Sequence, residues 1–405
     1  MFSLFGAKDR KTKTVFIADV GSGSIGCAVA ELNREGPPKI LLSERSAVPV
    51  LQSLDAASLM RGMQKAFGEV SNRLQGSMAR ALASVPEKDR PRLHPTHAAV
   101  FLRAPWCDVL LRNIRFARER PFRATPAVLE RMLSDYVRRE RPDEKEEEVV
   151  ERSAVGIRLN GYAVPDMPRS AMVGSIELTA LSVTAPRVFL KQVREGIAAT
   201  CGRVQVSIHS AGIAASFAMG SLLPQESDYI LCEVGGESTE LLLVLEHIPV
   251  ARATFSTGAN LFTRTLEAHA GMKGGEGASA LRLAKEKRSP MRAKLGSTLS
   301  VVQKEYAKAF GGAVRELVAA AGSAHAVYLL CEEPAGHFVE QAVEQAASSG
   351  PAFPAGASVR LIGPDILGSF IARGTSLGAP DLPLSLCTLF ADARFDESRA
   401  FNFKL

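Results

Sequence analysis

A strand–turn–strand segment occurs twice in this chain, and the repetition restricts the folds that the chain can adopt. The first copy is VFIADVGSGSIGCAVAEL at residues 15–32, and the second is YILCEVGGESTELLLVLE at residues 229–246. At an offset of 214 positions, Asp19 aligns with Glu233. Two apolar runs joined by a Gly-rich turn predict a β-hairpin. Two matched hairpins so far apart in the chain predict two related lobes.

Both turns have the composition of a phosphate-binding loop. Glycine and serine leave backbone N–H groups free to face an anion, and serine hydroxyls add further donors. The acidic residue before each turn, Asp19 or Glu233, is a ligand of the type that Mg²⁺ prefers. Two facing turns therefore predict a cleft for a nucleotide triphosphate and its metal ion. The residues assigned to the phosphates are Gly21, Ser22, Gly23 and Ser24 in the first turn and Gly235, Gly236, Glu237, Ser238 and Thr239 in the second.

The composition is that of an ordinary soluble globular protein. Of 405 residues, 46% are hydrophobic and 23% are charged, which excludes disordered and fibrous classes. The net charge of +6 is too small for this length to indicate nucleic acid by itself. No apolar run approaches the roughly 18 residues of a membrane span. The six cysteines form no CxxC pair, and several lie in apolar runs, which favours reduced thiols and a cytoplasmic location.

On these motifs the chain resembles the bacterial actin-like ATPase superfamily, in particular its FtsA-like and PilM-like branch. ADVGSGSIGCAVAEL is similar to the first phosphate motif of that family, and CEVGGESTELLLV is similar to the second. Residues 207–220 resemble the helix that connects the two lobes. Residues 255–271, which include Gly258 as a further nucleotide-binding candidate, resemble the strand, glycine and helix that follow the second motif. The resemblance implies an α/β, actin-like (ribonuclease H-like) two-lobed fold that binds ATP and Mg²⁺, with Asp19 and Glu233 orienting the metal.

About a hundred residues between the lobes are additional to an actin core. They begin with a strand-like stretch and continue with a helix that starts at Pro126 and carries Leu129 and Leu133 on one face. An Asn-Gly turn at 160–161 separates later strands, and a final helix starts near Pro186. This order resembles the small α+β subdomain inserted in the first lobe of FtsA-like and PilM-like proteins. The predicted organisation is a leader at 1–14, a first lobe at 15–100, the insert at 101–200, a connection at 201–225, a second lobe at 226–390 and a tail at 391–405.

The turn expected to receive adenine departs from the family pattern. After the strand-like AVYLLC comes EEPAG at residues 332–336, in which Gly336 alone matches the expected Gly-rich turn. Two carboxylates near a triphosphate are unfavourable unless a cation or water intervenes. Lys285 is the candidate for the lysine that the family places on the ribose side. These departures predict weak nucleotide binding and, at most, slow ATP turnover.

Few other residues are candidates for catalysis. His209 and Ser210 lie where the connecting helix of the superfamily approaches the γ-phosphate, so either is a candidate for positioning water, with helix capping as the alternative. No Ser-His-Asp order or nucleophile elbow is present. A small-molecule kinase on the same fold would need a catalytic carboxylate in the cleft and a sugar-recognition segment, and neither is found.

Arginines are concentrated in one short stretch. The residues are Arg112, Arg115, Arg118, Arg120 and Arg123, and Glu119 is the one acidic residue among them. The pattern fits either a solvated face with local ion pairs or a docking surface for an acidic partner or anionic lipid. No nucleic-acid-binding motif accompanies the arginines, so nucleic acid is not an expected partner.

The resemblance implies a role as well as a fold. It implies an ATP-binding scaffold of a bacterial inner-membrane complex, cytoplasmic or at the inner face of the membrane. A PilM-like role in type IV pilus assembly is the first expectation, and an FtsA-like role in cell division is the second. An interaction module with a vestigial nucleotide site is the third. The expected partner is the cytoplasmic segment of an inner-membrane assembly protein, with self-association and peripheral membrane contact as further expectations.

Overall fold

The structure, a computed structural model, describes most of the chain. The described residues are 12–51, 54–84, 94–139, 146–164, 170–269, 271–272, 275–286, 288–349, 353, 357–374 and 379–395. Most of the predicted leader and residues 396–405 of the predicted tail lie outside them. Within them, no helix is long and apolar enough to cross a bilayer.

The described residues form fifteen strands and nine α-helices. The strands are β1 Thr12–Val20, β2 Ser24–Asn33, β3 Lys39–Ala47, β4 His97–Leu102, β5 Asp108–Ala124, β6 Glu147–Leu159, β7 Tyr162–Ala163, β8 Ala171–Pro186, β9 Gln205–Ser210, β10 Tyr229–Val234, β11 Thr239–Leu245, β12 Ile248–Phe255, β13 Ala326–Cys331, β14 Ser358–Leu361 and β15 Ala372–Arg373. The helices are α1 Ala56–Ser84, α2 Pro126–Arg139, α3 Arg187–Cys201, α4 Ala211–Leu222, α5 Asn260–His269, α6 Glu276–Ala284, α7 Pro290–Ala321, α8 Gly336–Ser349 and α9 Leu382–Phe395.

Two of the three sheets are built to the same plan. The first runs β15-β3-β2-β1-β4-β9 and the second β12-β11-β10-β13-β14, and in each an antiparallel meander continues into parallel strands. The two sheets also share an irregularity of strand register at equivalent positions. It falls between Val29 and Ala30 of β2 and between Leu243 and Val244 of β11, which are related by the same 214-residue offset. The prediction of two related lobes is confirmed.

The third sheet forms the inserted subdomain together with α2. Its strands run β5-β8-β6-β7 and all pair antiparallel. As predicted, α2 starts at Pro126 and buries Leu129 and Leu133 against this sheet. The turn between β6 and β7 has Asn160 at φ 53° and Gly161 at φ 85°. Both values lie in the left-handed region that an Asn-Gly hairpin turn uses.

Helices α4 and α9 lie between the two lobes. α4 follows β9 of the first sheet directly and leads to β10 of the second, and it packs on α9. Nearly every residue of α4 is apolar or small and buried. A helix that is buried on all sides needs this uniform composition rather than one apolar stripe. α4 is therefore the connection that the sequence predicted from residues 207–220.

The boundaries of the insert differ from those predicted. β4 extends to Leu102 inside the first sheet, and the first strand of the insert starts at Asp108. α3, predicted as the last helix of the insert, buries Phe189 and Val193 in the core of the first lobe. It follows the insert as α8 follows β13 in the second lobe, so it belongs to the repeated unit. The reason for the difference is that the apolar face of a helix does not reveal which sheet will cover it.

The end of the second lobe also differs from the prediction. β15 pairs with β3 of the first sheet, and α9 packs on β1 and β2. Leu384, Leu386 and Phe390 of α9 are buried in the core of the first lobe. The chain therefore returns to the first lobe before the predicted boundary at residue 390. This return covers apolar strands of the first sheet that would otherwise be exposed.

Candidate functional site

The two predicted phosphate turns have the same internal hydrogen bond. In the first turn the backbone N–H of Gly21 donates to the carbonyl oxygen of Ser24 at 3.1 Å. In the second, the N–H of Gly235 donates to the carbonyl oxygen of Ser238 at 2.9 Å. A Cβ on Gly258 would lie 2.4 Å from the carbonyl oxygen of Gly235. Gly258 therefore supports the second turn through close backbone contact, which a side chain at this position would prevent.

The turns touch each other across the cleft between the lobes. A Cβ on Gly236 would lie 2.5 Å from the Cα atom of Gly23. The hydroxyl of Ser22 accepts a hydrogen bond from the backbone N–H of Glu237 at 3.0 Å. A backbone donor predicted to face a phosphate is thus already bonded to the other lobe.

Two of the three polar side chains of the second turn have protein partners, whereas the buried hydroxyl of Ser238 has none among the described residues. The carboxylate of Glu237 accepts hydrogen bonds from Arg264 at 2.7 Å and from the side-chain amide of Asn260 at 2.7 Å. The hydroxyl of Thr239 donates to the carbonyl oxygen of Thr257 at 2.7 Å. These contacts fix the turn from within the second lobe.

Two arginines hold the carboxylates that the sequence predicted as metal ligands. Asp19 is fully buried, and its two oxygens accept hydrogen bonds from Arg103 at 2.7 Å and from Arg45 at 2.8 Å. Arg103 also lies 3.3 Å from Glu233 of the other lobe. Arg45 comes from β3, and Arg103 directly follows β4. The position assigned to Mg²⁺ is therefore next to two guanidinium groups.

The protonation of the two carboxylates differs because their charge environments differ. Burial raises the pKa of Asp19, but Arg103 and Arg45 outweigh it, so this pKa is below its ordinary value and Asp19 is ionised at neutral pH. Burial raises the pKa of Glu233 to about 7, with Arg103 opposing the shift and Glu240 adding to it. The Oε2 atom of Glu233 is buried and has no hydrogen-bond partner among the described residues. Glu233 therefore exchanges a proton near neutrality.

The carboxylates at the predicted adenine turn are also paired with cations. Glu332 accepts a hydrogen bond from the hydroxyl of Ser24 at 2.8 Å and lies 3.1 Å from Arg45, and both partners belong to the first lobe. Glu333 pairs with Lys285 at 2.5 Å. Lys285 therefore contacts the turn at residues 332–336, which was expected to receive adenine.

We call the set formed by Arg45 and Arg103 with their carboxylates the arginine bridge. Asp381, at the start of α9, completes it by accepting a hydrogen bond from Arg45 at 2.7 Å. Sequence reasoning did not identify Arg45, Arg103 or Asp381. One available signal was the surplus of carboxylates near residue 332, which requires nearby cations in a folded cleft. The members of the bridge are Asp19, Arg45, Arg103, Glu233, Glu332 and Asp381.

The space between the two turns does not fit Mg²⁺ and ATP in this arrangement. The cavity lined by the two turns, Arg103 and residues 332–335 measures about 80 Å³. Small-molecule sites usually measure about 300–1,000 Å³. A metal ion would compete with two guanidinium groups for Asp19, and a triphosphate would require the two turns to separate.

The remaining predicted site residues lie outside the cavity between the turns. The hydroxyl of Ser210 caps α4 by accepting a hydrogen bond from the N–H of Ile213 at 3.3 Å, which is the capping alternative. His209 lies 3.2 Å from Glu151 and packs against Phe390. Gly336 is the first residue of α8.

A larger cavity of about 500 Å³ lies between the first sheet and α9. Its lining combines aromatic and polar side chains, among them His97, Phe101, Ser207, His209, Phe390 and Arg394. Glu151 of the insert accepts a hydrogen bond from Arg394 at 2.9 Å and lies 3.2 Å from His209 at the same place. Burial raises the pKa of Glu151, but His209 and Arg394 outweigh it and lower the pKa to about 2. The cavity is therefore next to the junction between the first lobe and the insert.

The comparisons with known proteins agree with this architecture. No protein-family model matches the chain, and no curated protein matches it. Among solved structures, it is similar to a PilM–PilN type IV pilus biogenesis complex, with 13% identity over 93% of this chain and 98% of that chain and a TM-score of 0.58. The chain has the actin-like ATPase fold. The predicted actin-like, PilM-like resemblance is confirmed.

Two further solved structures are similar with lower TM-scores. The ethanolamine utilization protein EutJ from Carboxydothermus hydrogenoformans is 12% identical, over 96% of this chain and 91% of that chain, with a TM-score of 0.40. A ROK family glucokinase from Streptomyces griseus, in complex with glucose and AMPPNP, is 12% identical over 94% and 99%, with a TM-score of 0.43.

Proposed function

We propose that this protein is an actin-like assembly protein of a bacterial inner-membrane complex, with a PilM-like role in type IV pilus biogenesis. The observation that carries the proposal is the similarity in fold to the PilM–PilN complex over 93% of the chain. The proposed location is the cytoplasm at the inner face of the membrane, and the proposed partner is the cytoplasmic segment of a PilN-like protein. An FtsA-like role in cell division is the alternative.

We propose further that the protein acts through partner binding rather than through ATP turnover. The arginine bridge supports this view, because Ser24 and Arg45 of the first lobe bind Glu332 of the second directly. If these side chains keep the cleft closed, the outer surface of the protein is the same with and without nucleotide in solution. Binding of Mg²⁺ and ATP would belong to an opened cleft, in which Arg103 has left Asp19 and the two turns have separated.

The proposed docking place for the partner segment is the 500 Å³ cavity between the first sheet and α9. Its volume is within the usual range of ligand sites, and rings of Phe101 and Phe390 give it apolar walls. Ser207 and the two histidines His97 and His209 add hydrogen-bonding groups that can fix the direction of a bound segment.

The test is fluorescence anisotropy with a labelled cytoplasmic segment of the PilN-like protein from the same organism. We expect saturable binding by the wild type and at least a tenfold loss in Ser207→Trp, whose indole fills the cavity. Ser348→Trp, at an exposed position on α8, is the matched control and should bind as the wild type does. Failure of the wild type to bind, together with binding of a segment from a cell-division membrane protein, would overturn the pilus role in favour of the alternative.

A further inference from the structure

One end of the inserted subdomain lies just beyond its contact with the second lobe, where Arg158 pairs with Glu246 at 2.8 Å. Asp108, at the start of β5, bonds to Arg252 of the second lobe at 2.5 Å, so this end of the strand is close to the core. Ala117 is nine residues further on, or about 30 Å along an extended strand. The far end contains residues 117–123 of β5, residues 160–162 between β6 and β7, and residues 172–175 of β8, which the register places together. We call this region the insert tip.

The arginines of the insert tip are displayed where β5 leaves its regular pairing. Ala117 lies opposite Ser175 and Phe122 opposite Val173, so residues 118–121 have no cross-strand partner. Arg118, Arg120 and Arg123 are all exposed. The irregularity lets these side chains project from the end of the sheet instead of lying along it.

The charge of this stretch is not balanced by neighbouring groups. Among the described residues, Arg115 has an ion pair, at 3.6 Å from Glu177, whereas Arg118, Arg120 and Arg123 have none. Three arginines and one glutamate leave residues 117–123 of the tip with a net charge of +2. The insert tip is therefore a positive surface that remains free to bind an anionic partner.

Apolar side chains are exposed beside these arginines. Arg118 lies over the rings of Phe116 and Phe122, at 5.1 and 5.4 Å from their centres. Met172, opposite Arg123, is 63% exposed, and Tyr162 is 78% exposed. Exposed aromatic and flexible apolar groups next to basic ones are typical of surfaces that enter the headgroup region of a bilayer.

We infer that the insert tip is a contact surface for an anionic membrane. Arginines near an anionic bilayer are attracted to its headgroups, while Tyr162 and Met172 can enter the interface. Protection of an edge strand is the competing explanation, because β5 is the terminal strand of its sheet and charges discourage edge-to-edge pairing. Edge protection accounts for the charges but not for the exposed Tyr162 and Met172. The inference does not depend on the proposed partner.

Vesicle co-sedimentation with the full chain tests this inference. Vesicles of phosphatidylcholine with 30% phosphatidylglycerol are compared with pure phosphatidylcholine at about 0.1 M salt, where the screening length is about 10 Å. The tip variant is Arg118→Glu/Arg120→Glu/Arg123→Glu. The control variant is Lys304→Glu/Lys308→Glu/Arg315→Glu, which reverses three exposed charges on α7 and changes the net charge equally. Circular dichroism checks that both variants are folded.

We expect the wild type and the control variant to sediment with the anionic vesicles and not with the neutral ones. Each arginine contributes about fivefold to the partition coefficient, and the introduced glutamates repel the anionic surface, so the tip variant should bind at least about a hundredfold more weakly. Unchanged binding by the tip variant, an equal loss in both variants, or no wild-type binding would overturn the inference. Binding of polyglutamate instead of vesicles would assign the surface to an acidic protein and would also overturn it.

Discussion

Replacing Arg103 with alanine removes the central cation of the arginine bridge. Its guanidinium donates to Asp19 at 2.7 Å and lies 3.3 Å from Glu233, and all three side chains are buried. The substitution leaves Asp19 in the interior with Arg45 as its remaining cation, and it removes the cation next to Glu233. It also opens space between Asp19 and Glu233, the two residues that the sequence predicted as metal ligands.

The expected cost follows from the burial of these groups. Removing one partner of a buried ion pair costs about 3–5 kcal/mol, because the other charge stays desolvated. In the control Arg194→Ala, the lost partner is Glu148 at 2.6 Å, but the pair is partly exposed and such pairs contribute about 0–1 kcal/mol. We therefore expect a clear loss of stability in the first variant and little change in the second.

The assay is urea unfolding with and without Mg²⁺. Without the Arg103 side chain, Asp19 and Glu233 face a space that Mg²⁺ can enter. Binding of Mg²⁺ to the folded variant should therefore restore about 1–3 kcal/mol of its stability. Mg²⁺ should leave the wild type unchanged, since guanidinium groups already hold the same oxygens. A loss below about 1 kcal/mol, or equal stabilisation of wild type and variant by Mg²⁺, would refute the reasoning.

Two further substitutions test other parts of the cleft. Glu233 has a pKa of about 7 in the folded protein, above the ordinary 4.5, so the wild type binds this proton more tightly when folded and loses stability as the pH rises from 5 to 8. In urea titrations at several pH values, Glu233→Gln should make the free energy of unfolding less dependent on pH. At pH 8 the variant should be more stable than the wild type by at most about 3 kcal/mol, reduced by the lost attraction to Arg103. An unchanged pH profile would contradict the assignment. In Gly236→Ala the new methyl group would lie 2.5 Å from the Cα atom of Gly23, so the turns must separate at a cost of roughly 1–3 kcal/mol in denaturant unfolding. Gly296→Ala, in open space on α7, should instead be neutral or stabilising, and equal effects of the two alanines would argue against contact between the turns.

Local patterns predicted much of the architecture. The paired hairpins, the helix that begins at Pro126 and the Asn-Gly turn at 160–161 all follow from turn residues and apolar spacing. These features depend on neighbours within a few residues or on a repeat that can be read by alignment. The membership of α3 and α9 in the first lobe depends on which sheet covers them, and no local pattern contains that information.

The arginine bridge was beyond sequence reasoning for a related reason. Arg45 and Arg103 are 26 and 84 residues from Asp19 in the chain, and β-sheet pairing brings them together. The two glutamates after β13 were recognised as a departure from the nucleotide-binding pattern. The sequence did not reveal which cation pairs with Glu332, because Arg45 belongs to the other lobe. The site was predicted in its position but not in its charge balance.

Titration calorimetry of the wild-type protein with Mg²⁺ and ATP tests the central claim most directly. That claim is that the lobes are held together by the arginine bridge and that the protein acts through its partners. We predict no saturable heat up to about 1 mM nucleotide, a limit that corresponds to a binding free energy weaker than about 4 kcal/mol. Saturable binding with a micromolar dissociation constant would contradict the claim, because it would require Arg103 to give up Asp19 and the two turns to open.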